Sequence, residues 1–152
     1  MIIGNKKNFA IEFEKLNSNP EMGYGKLWLQ NKFFGTKEDL IYLNGYLLSL
    51  LDEILNAKII TLNIEDKNPI ELFNFLKYFG RNYLILGSTF TDDFEAYCYK
   101  SNEKIFLIWK LREVEMIFDE LKNYDREIQF CNANYIEIKI VKEDFINQLN
   151  KA

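Results

Sequence analysis

Residues 104–111 read Lys-Ile-Phe-Leu-Ile-Trp-Lys-Leu, with large apolar side chains at odd and even positions alike. A strand sends successive side chains to opposite faces. This segment therefore needs cover on both sides, which places it at the centre of a sheet with packed layers above and below. Its neighbours read differently. Phe94–Tyr99 alternates, with Phe94, Ala96 and Cys98 opposite Glu95, Tyr97 and Tyr99, and Ser101-Asn102-Glu103 is a turn leading into the central strand. Tyr135–Val141 alternates as well: Ile136, Ile138 and Ile140 fall on one side, Glu137 and Lys139 on the other. Period two predicts a strand there, with a short closing helix from Glu143 to Lys151.

The first half of the chain carries the same signals. Phe9, Ile11 and Phe13 alternate with Ala10, Glu12 and Glu14, and alternation resumes over Lys26–Phe34 after a turn-rich stretch from Asn17 to Gly25. These two segments are expected to pair antiparallel. Gly35 to Asp39 should break the second strand, with a short strand, Leu40–Leu43, after it. Leu47, Leu50, Leu51 and Ile54 recur at the spacing of a helix over Asn44–Asn56, with Asn44 as its cap. Lys58–Ile64 reads as a strand or an extended link.

Pro69–Phe79 carries the sharpest helix signals. Asn68 suits the N-cap, Pro69 the first helical position, Glu71 a capping box and Gly80 a left-handed C-terminal cap. Tyr83–Leu86 is a short apolar strand. Residues 112–131 fit no single pattern, although Val114, Ile117, Phe118 and Leu121 have helical spacing. No repeat or linker divides the sequence. The expected architecture is one α+β domain spanning residues 1–152, a mostly antiparallel sheet of about six strands with two or three helices packed on it. A chain of 152 residues buries roughly 70% of its unfolded surface, so it needs no metal or disulfide to fold.

Composition excludes several chemistries. There is no histidine, which removes Ser-His-Asp and Cys-His hydrolysis and Cys/His zinc sites in their usual forms. The only two cysteines, Cys98 and Cys131, lie 33 positions apart; they can pair in one bridge or sit as two buried thiols in a reducing cytosol. Gly23-Tyr24-Gly25 lacks the further residues of a phosphate loop, so no nucleotide cofactor is expected. The net charge is −4 with no run of three basic residues, which argues against nucleic acid as a partner. No apolar stretch approaches the ~20 residues that span a bilayer, and no signal-peptide core follows Lys6-Lys7, so a cytoplasmic protein is expected. Without histidine, partner binding should change little between about pH 6 and 8 unless the partner titrates.

The remaining candidates are carboxylates and aromatics. Asp92, Asp93 and Glu95 sit at a loop-to-strand junction, and Glu12 and Glu14 share one strand face. Either group can be a solvated face. The first can also hold a cation as part of a metal-dependent hydrolase, and the second can serve acid/base chemistry if burial raises one pKa. The 24 aromatics exceed what a core of this size needs, and Tyr24, Trp28, Phe34, Tyr97 and Tyr99 fall on faces read as solvent-exposed. Either a second layer of structure or a protein partner must cover them, since Tyr and Trp are favoured at interfaces. Self-association through a Trp28/Tyr97 face is an alternative.

The opening Ile3-Gly4-Asn5, the strand Phe9-Ala10-Ile11-Glu12-Phe13-Glu14, Gly25-x-x-Trp28, Phe33-Phe34-Gly35 and the Leu-rich helix together resemble the immunity protein 42 family of bacterial polymorphic-toxin and contact-dependent inhibition systems. The likeness is carried by residues 1–57. It implies a small, non-enzymatic cytosolic inhibitor that binds a cognate toxin domain, and many such toxins are nucleases with basic clefts. An acidic inhibitor suits such a cleft. Within that reading the expected toxin contacts are Asp92, Asp93 and Glu95, then Glu12 and Glu14, with Tyr97 and Trp28 as apolar anchors.

Overall fold

In the computed structural model, which describes residues 1–85, 90–113 and 118–151, seven strands form two antiparallel sheets. The first sheet is a meander of β1 (Ile2–Asn5), β2 (Phe9–Lys15), β3 (Met22–Leu29) and β4 (Lys32–Tyr42). Phe9, Ile11 and Phe13 of β2 face inward and are buried, opposite Leu29, Leu27 and Gly25 of β3. The β2–β3 pair expected from alternation is present, but its boundaries differ. Lys26–Phe34 is not one strand: Gln30 and Asn31, with φ of 51° and 66°, turn the chain tightly between β3 and β4. Two successive left-handed residues make the turn that suits a hairpin. β3 also begins earlier than expected, within the glycine-bearing stretch. Gly23 pairs with Lys15 of β2, and only glycine fits there, since a Cβ would stand 2.0 Å from the Glu14 carbonyl oxygen.

β4 runs through Gly35–Asp39 rather than ending there. The strain is taken up by Gly35, at φ +105°, and by a jump in register from Gly25 opposite Thr36 to Gly23 opposite Ile41. Residues 37–40 bulge out against Tyr24. The expected short strand at Leu40–Leu43 is the end of β4, which passes directly into a π-helical turn, Leu43–Leu47, and then α1 (Leu48–Leu55). Asn44 lies inside that turn and caps nothing. Leu43, Leu47, Leu50, Leu51 and Ile54 bury the expected stripe.

The second sheet has the order β5 (Phe94–Ser101), β6 (Lys104–Leu111), β7 (Gln129–Asn134). β6 is central, as its two-faced apolar pattern requires. Ile105, Leu107, Trp109 and Leu111 enter a core shared with the first sheet, α1 and the last helix. Ile108 on the opposite face packs with Tyr97, Tyr99 and the buried residues Leu72, Phe73 and Leu76 of α2 (Pro69–Tyr78). α2 has the reciprocal Asn68/Glu71 capping box and a left-handed Gly80, as its sequence predicts. The outer edge of β5 is completed by two short stretches. Lys58 and Ile60 exchange backbone hydrogen bonds with Lys100, and Tyr83 and Ile85 do so with Cys98 and Ala96. Lys58–Ile64 is thus an extended link, and Tyr83–Leu86 contributes one bridge, Leu84 to Tyr97, its last residue lying outside the described set.

Tyr135–Val141 is helical, not a strand: it opens α4 (Tyr135–Leu149), which also takes in the expected closing helix from Glu143 but ends two residues short of Lys151. Asn134 accepts from the backbone N–H of Ile136 and Glu137 and starts the helix. Ile138, Val141 and Phe145 bury one face, while Ile136 and Ile140 are exposed. The isoleucines at 136, 138 and 140 satisfy period two only by coincidence with this helical stripe. β7 immediately precedes α4. Of the residues with helical spacing in 112–131, Val114 and Ile117 lie outside the described set, Phe118 precedes a single 3₁₀ turn (Asp119–Leu121), and Leu121 is buried in that turn.

Trp109, Phe34, Phe94 and Tyr124 join the two sheets. The Phe34 ring is 5.3 Å from Trp109 and 5.8 Å from Phe94, and Trp109 Nε1 donates to the Tyr124 hydroxyl at 2.8 Å. Cys98 and Cys131 are free and buried. Both register against Leu107 from opposite sides of β6. Two strand spacings put their backbones ~10 Å apart, beyond the reach of a disulfide. Burial pushes their thiols up to about 12 and about 11 respectively, so neither is a ready thiolate.

Candidate functional site

The structure separates the expected contact residues into two groups. Glu12, Glu14 and Trp28 lie on the outer face of the first sheet, where β2 and β3 register Glu12 opposite Lys26 and Glu14 opposite Tyr24. Trp28 Nε1 donates to Glu12 at 3.0 Å, and Lys6 and Lys37 close on the same carboxylate. Lys6 also stands 4.1 Å from the Trp28 ring centroid. Burial pushes the Glu12 carboxyl up, but the ammoniums of Lys37 and Lys6 and the indole N–H outweigh it and hold the pKa below the ordinary value. Glu12 is therefore ionised and internally satisfied, whereas Glu14 is exposed. Trp28 and Tyr24 are half-buried, and Phe34, read as solvent-facing, is fully buried between the sheets.

The second group lies where α3, the single helical turn Phe90–Asp93, runs into β5. Asp92 is exposed and Asp93 half-buried. Asp93 is pushed above the ordinary carboxylate value by burial first, then by the nearby carboxylates of Asp39 and Asp92. Glu95 is buried at 9% exposure and accepts a 2.6 Å hydrogen bond from the Tyr97 hydroxyl, with Lys77 of α2 at 3.4 Å. Tyr97 and Tyr99, both read as solvent-facing, are buried beneath α2. The second layer accounts for these two rings. Tyr97 packs edge-on against Phe73 at 5.2 Å, so a partner would reach it only by displacing α2.

Glu95 makes a pH-dependent contribution to stability. Burial raises its pKa, but Tyr97, Lys77 and Arg112 together bring it below the ordinary 4.5. A carboxylate depressed in the folded state stabilises above its unfolded pKa and loses that contribution as the pH falls through the folded value. Glu95→Gln is expected to cost about 1 kcal/mol at neutral pH, with the gap to wild type narrowing as the pH falls below the ordinary carboxylate value. Urea midpoints measured from neutral pH down into the acid range check this.

A cavity of about 360 Å³ beside Glu95 is lined by both charge signs, including Lys110, Arg112, Glu113 and Arg126. Another, of about 700 Å³, lies under the 60–67 link, against the stacked pair Tyr99 and Phe106. Among the described residues no three carboxylates or thiols converge as metal ligands would. No helix among them is long and apolar enough to cross a membrane.

Fold and site together define a small α+β protein whose polar groups are largely committed to one another and whose remaining exposed carboxylates and aromatics face outward. The chain belongs to the immunity protein 42 family, whose model matches residues 1–152. The fold is also that of a solved structure, a CdiI from Burkholderia dolosa AUO158, at a TM-score of 0.64 and 16% sequence identity, with 97% of this chain and 99% of that one covered. No curated protein matches the sequence.

Proposed function

We propose that this chain neutralises a cognate bacterial toxin domain by binding it, and does so without catalysis of its own. The observation that carries this reading is the family match over the full 152 residues. The similar fold of a CdiI protein supports it. The reading takes the cytoplasm as the site of action and extends to a nuclease as the toxin, in keeping with the net charge of −4.

We further propose that the toxin contacts include the exposed Asp92 and Glu14, with Asp93 and Trp28 beside them. Glu12, Glu95 and Tyr97 would act within the same two regions mainly by holding their surroundings in place, since their polar atoms are already engaged. The test is co-expression with the C-terminal toxin domain encoded beside this gene. Restored growth and a co-eluting complex are expected. Unchanged toxicity with no complex would sink the reading.

A further inference from the structure

We infer that the toxin docks at the corner where β4 enters the π-helical turn, with Leu40, Tyr42 and Tyr46 as the apolar centre and Glu38, Asp39, Asp92 and Asp93 as the acidic rim, and that it presents a basic surface there. This rests on the neutralisation reading and assigns it a place.

The corner combines exposed aromatic surface with a cluster of carboxylates. Leu40, Tyr42 and Tyr46 are 42%, 49% and 38% exposed, and the two tyrosine rings meet edge-on at 5.8 Å with an interplanar angle of 90°. Rigid tyrosines lose little side-chain entropy on binding and are enriched at energetic hot spots. A π-helical turn is rare and recurs at functional sites. Residues 38–57 carry four carboxylates, Glu38, Asp39, Asp52 and Glu53, and no lysine or arginine; Asp52 is paired with Lys142 of α4, which leaves Glu38 and Asp39 as the acidic groups of the β4 end. The single turn α3 packs beside β4. The closeness of Asp39, Asp92 and Asp93 is also visible in the raised Asp93 carboxyl.

The alternative apolar patch, Ile136 and Ile140 on α4, is 55% and 53% exposed but has charges of both signs around it, Glu137, Lys139 and Glu143. Nothing there selects a partner. At the β4 corner the charge does, because a rim in which carboxylates predominate attracts a basic face and repels an acidic one.

The test measures binding of the neighbouring toxin domain to the full chain by calorimetry. Tyr42→Ser/Tyr46→Ser is expected to lose about 100-fold in affinity. Asp92→Lys, an exposed change that leaves the core untouched, is expected to lose about tenfold, mostly in association rate and mostly at low salt. Ile136→Ser/Ile140→Ser should bind as wild type does. If wild type binds and both the tyrosine variant and Asp92→Lys bind within about threefold of it, the corner is wrong and the neutralisation reading stands. If wild type itself fails to bind, both fall. Should the tyrosine variant unfold, Asp92→Lys and its salt dependence decide alone.

Discussion

Trp109→Ala is expected to lower the free energy of unfolding by about 4–5 kcal/mol, a large part of what a domain of this size has. Trp109 is fully buried on β6, against Phe34 of the first sheet, and its indole donates to Tyr124. The loss combines a cavity where the two sheets meet with a missing donor on a hydroxyl that also bonds the Phe33 carbonyl. Trp109→Phe keeps most of the ring and loses only the donor and some volume, so it should cost about 1–2 kcal/mol. Urea unfolding followed by circular dichroism separates the two. A loss below about 2 kcal/mol for Trp109→Ala would show that the sheets do not depend on a common core.

Glu120→Ala is the second large effect, expected at about 3 kcal/mol. Its carboxylate accepts from the Thr36 hydroxyl at 2.9 Å and the Lys37 N–H at 2.8 Å, and it pairs with Lys26, which is only 7% exposed. Its own backbone N–H donates to Glu38 at 2.7 Å. The 3₁₀ turn carrying Glu120 is therefore clamped to the bulged part of β4. Removing the carboxylate leaves an ammonium buried over the Phe33 ring, 4.1 Å from its centroid. Burial, with Lys37 and Lys6 adding to it against the pull of Glu12, already holds Lys26 below its ordinary 10.5. The sign of the pH effect follows. An unfolded chain keeps this proton to higher pH than the folded one, so stability of the variant should recover as the pH rises towards 10.5. Lys26→Met/Glu120→Leu should regain the part of the loss that comes from the stranded charge, while the Thr36 hydroxyl and the Lys37 N–H still lack their acceptor. Equal stabilities of Glu120→Ala and wild type at pH 7 would contradict the clamp.

Elements bounded by local chemistry were legible from sequence. The cap at Asn68, Pro69 and Glu71, the two-faced β6 and the Asn102 turn all depend on residues adjacent to the feature they make. The errors share a physical origin. The β3–β4 hairpin turns on Gln30 and Asn31, which carry no glycine to mark it. β7 buries only Gln129, Cys131 and Ala133, too small a set to register as an apolar face. At Tyr135–Val141 two periods coincided, and the cap at Asn134 decided for the helix. Site residues were harder. Glu95 and Tyr97 were read as surface groups because α2, which covers Tyr97 and brings Lys77 to Glu95, is fixed by tertiary packing. The β4 corner left one trace in the sequence, the acid-only run from Glu38 to Ala57, but its tyrosines become a patch only once β4 is seen to continue through Gly35.

The last helix packs on the first two strands. Met1 donates its terminal amine to the Phe13 carbonyl, and Lys15 reaches the Gln148 carbonyl at 3.0 Å from the far end of the chain. During synthesis β1 and β2 emerge first but gain their cover only when α4 has left the ribosome, since contacts so distant in sequence form late. A chain cut short before Tyr135 thus lacks the cover for Phe13, which Phe145 meets at 5.0 Å, and for Ile3 beside it. Premature termination should yield a substrate for proteolysis rather than a partly protective fragment.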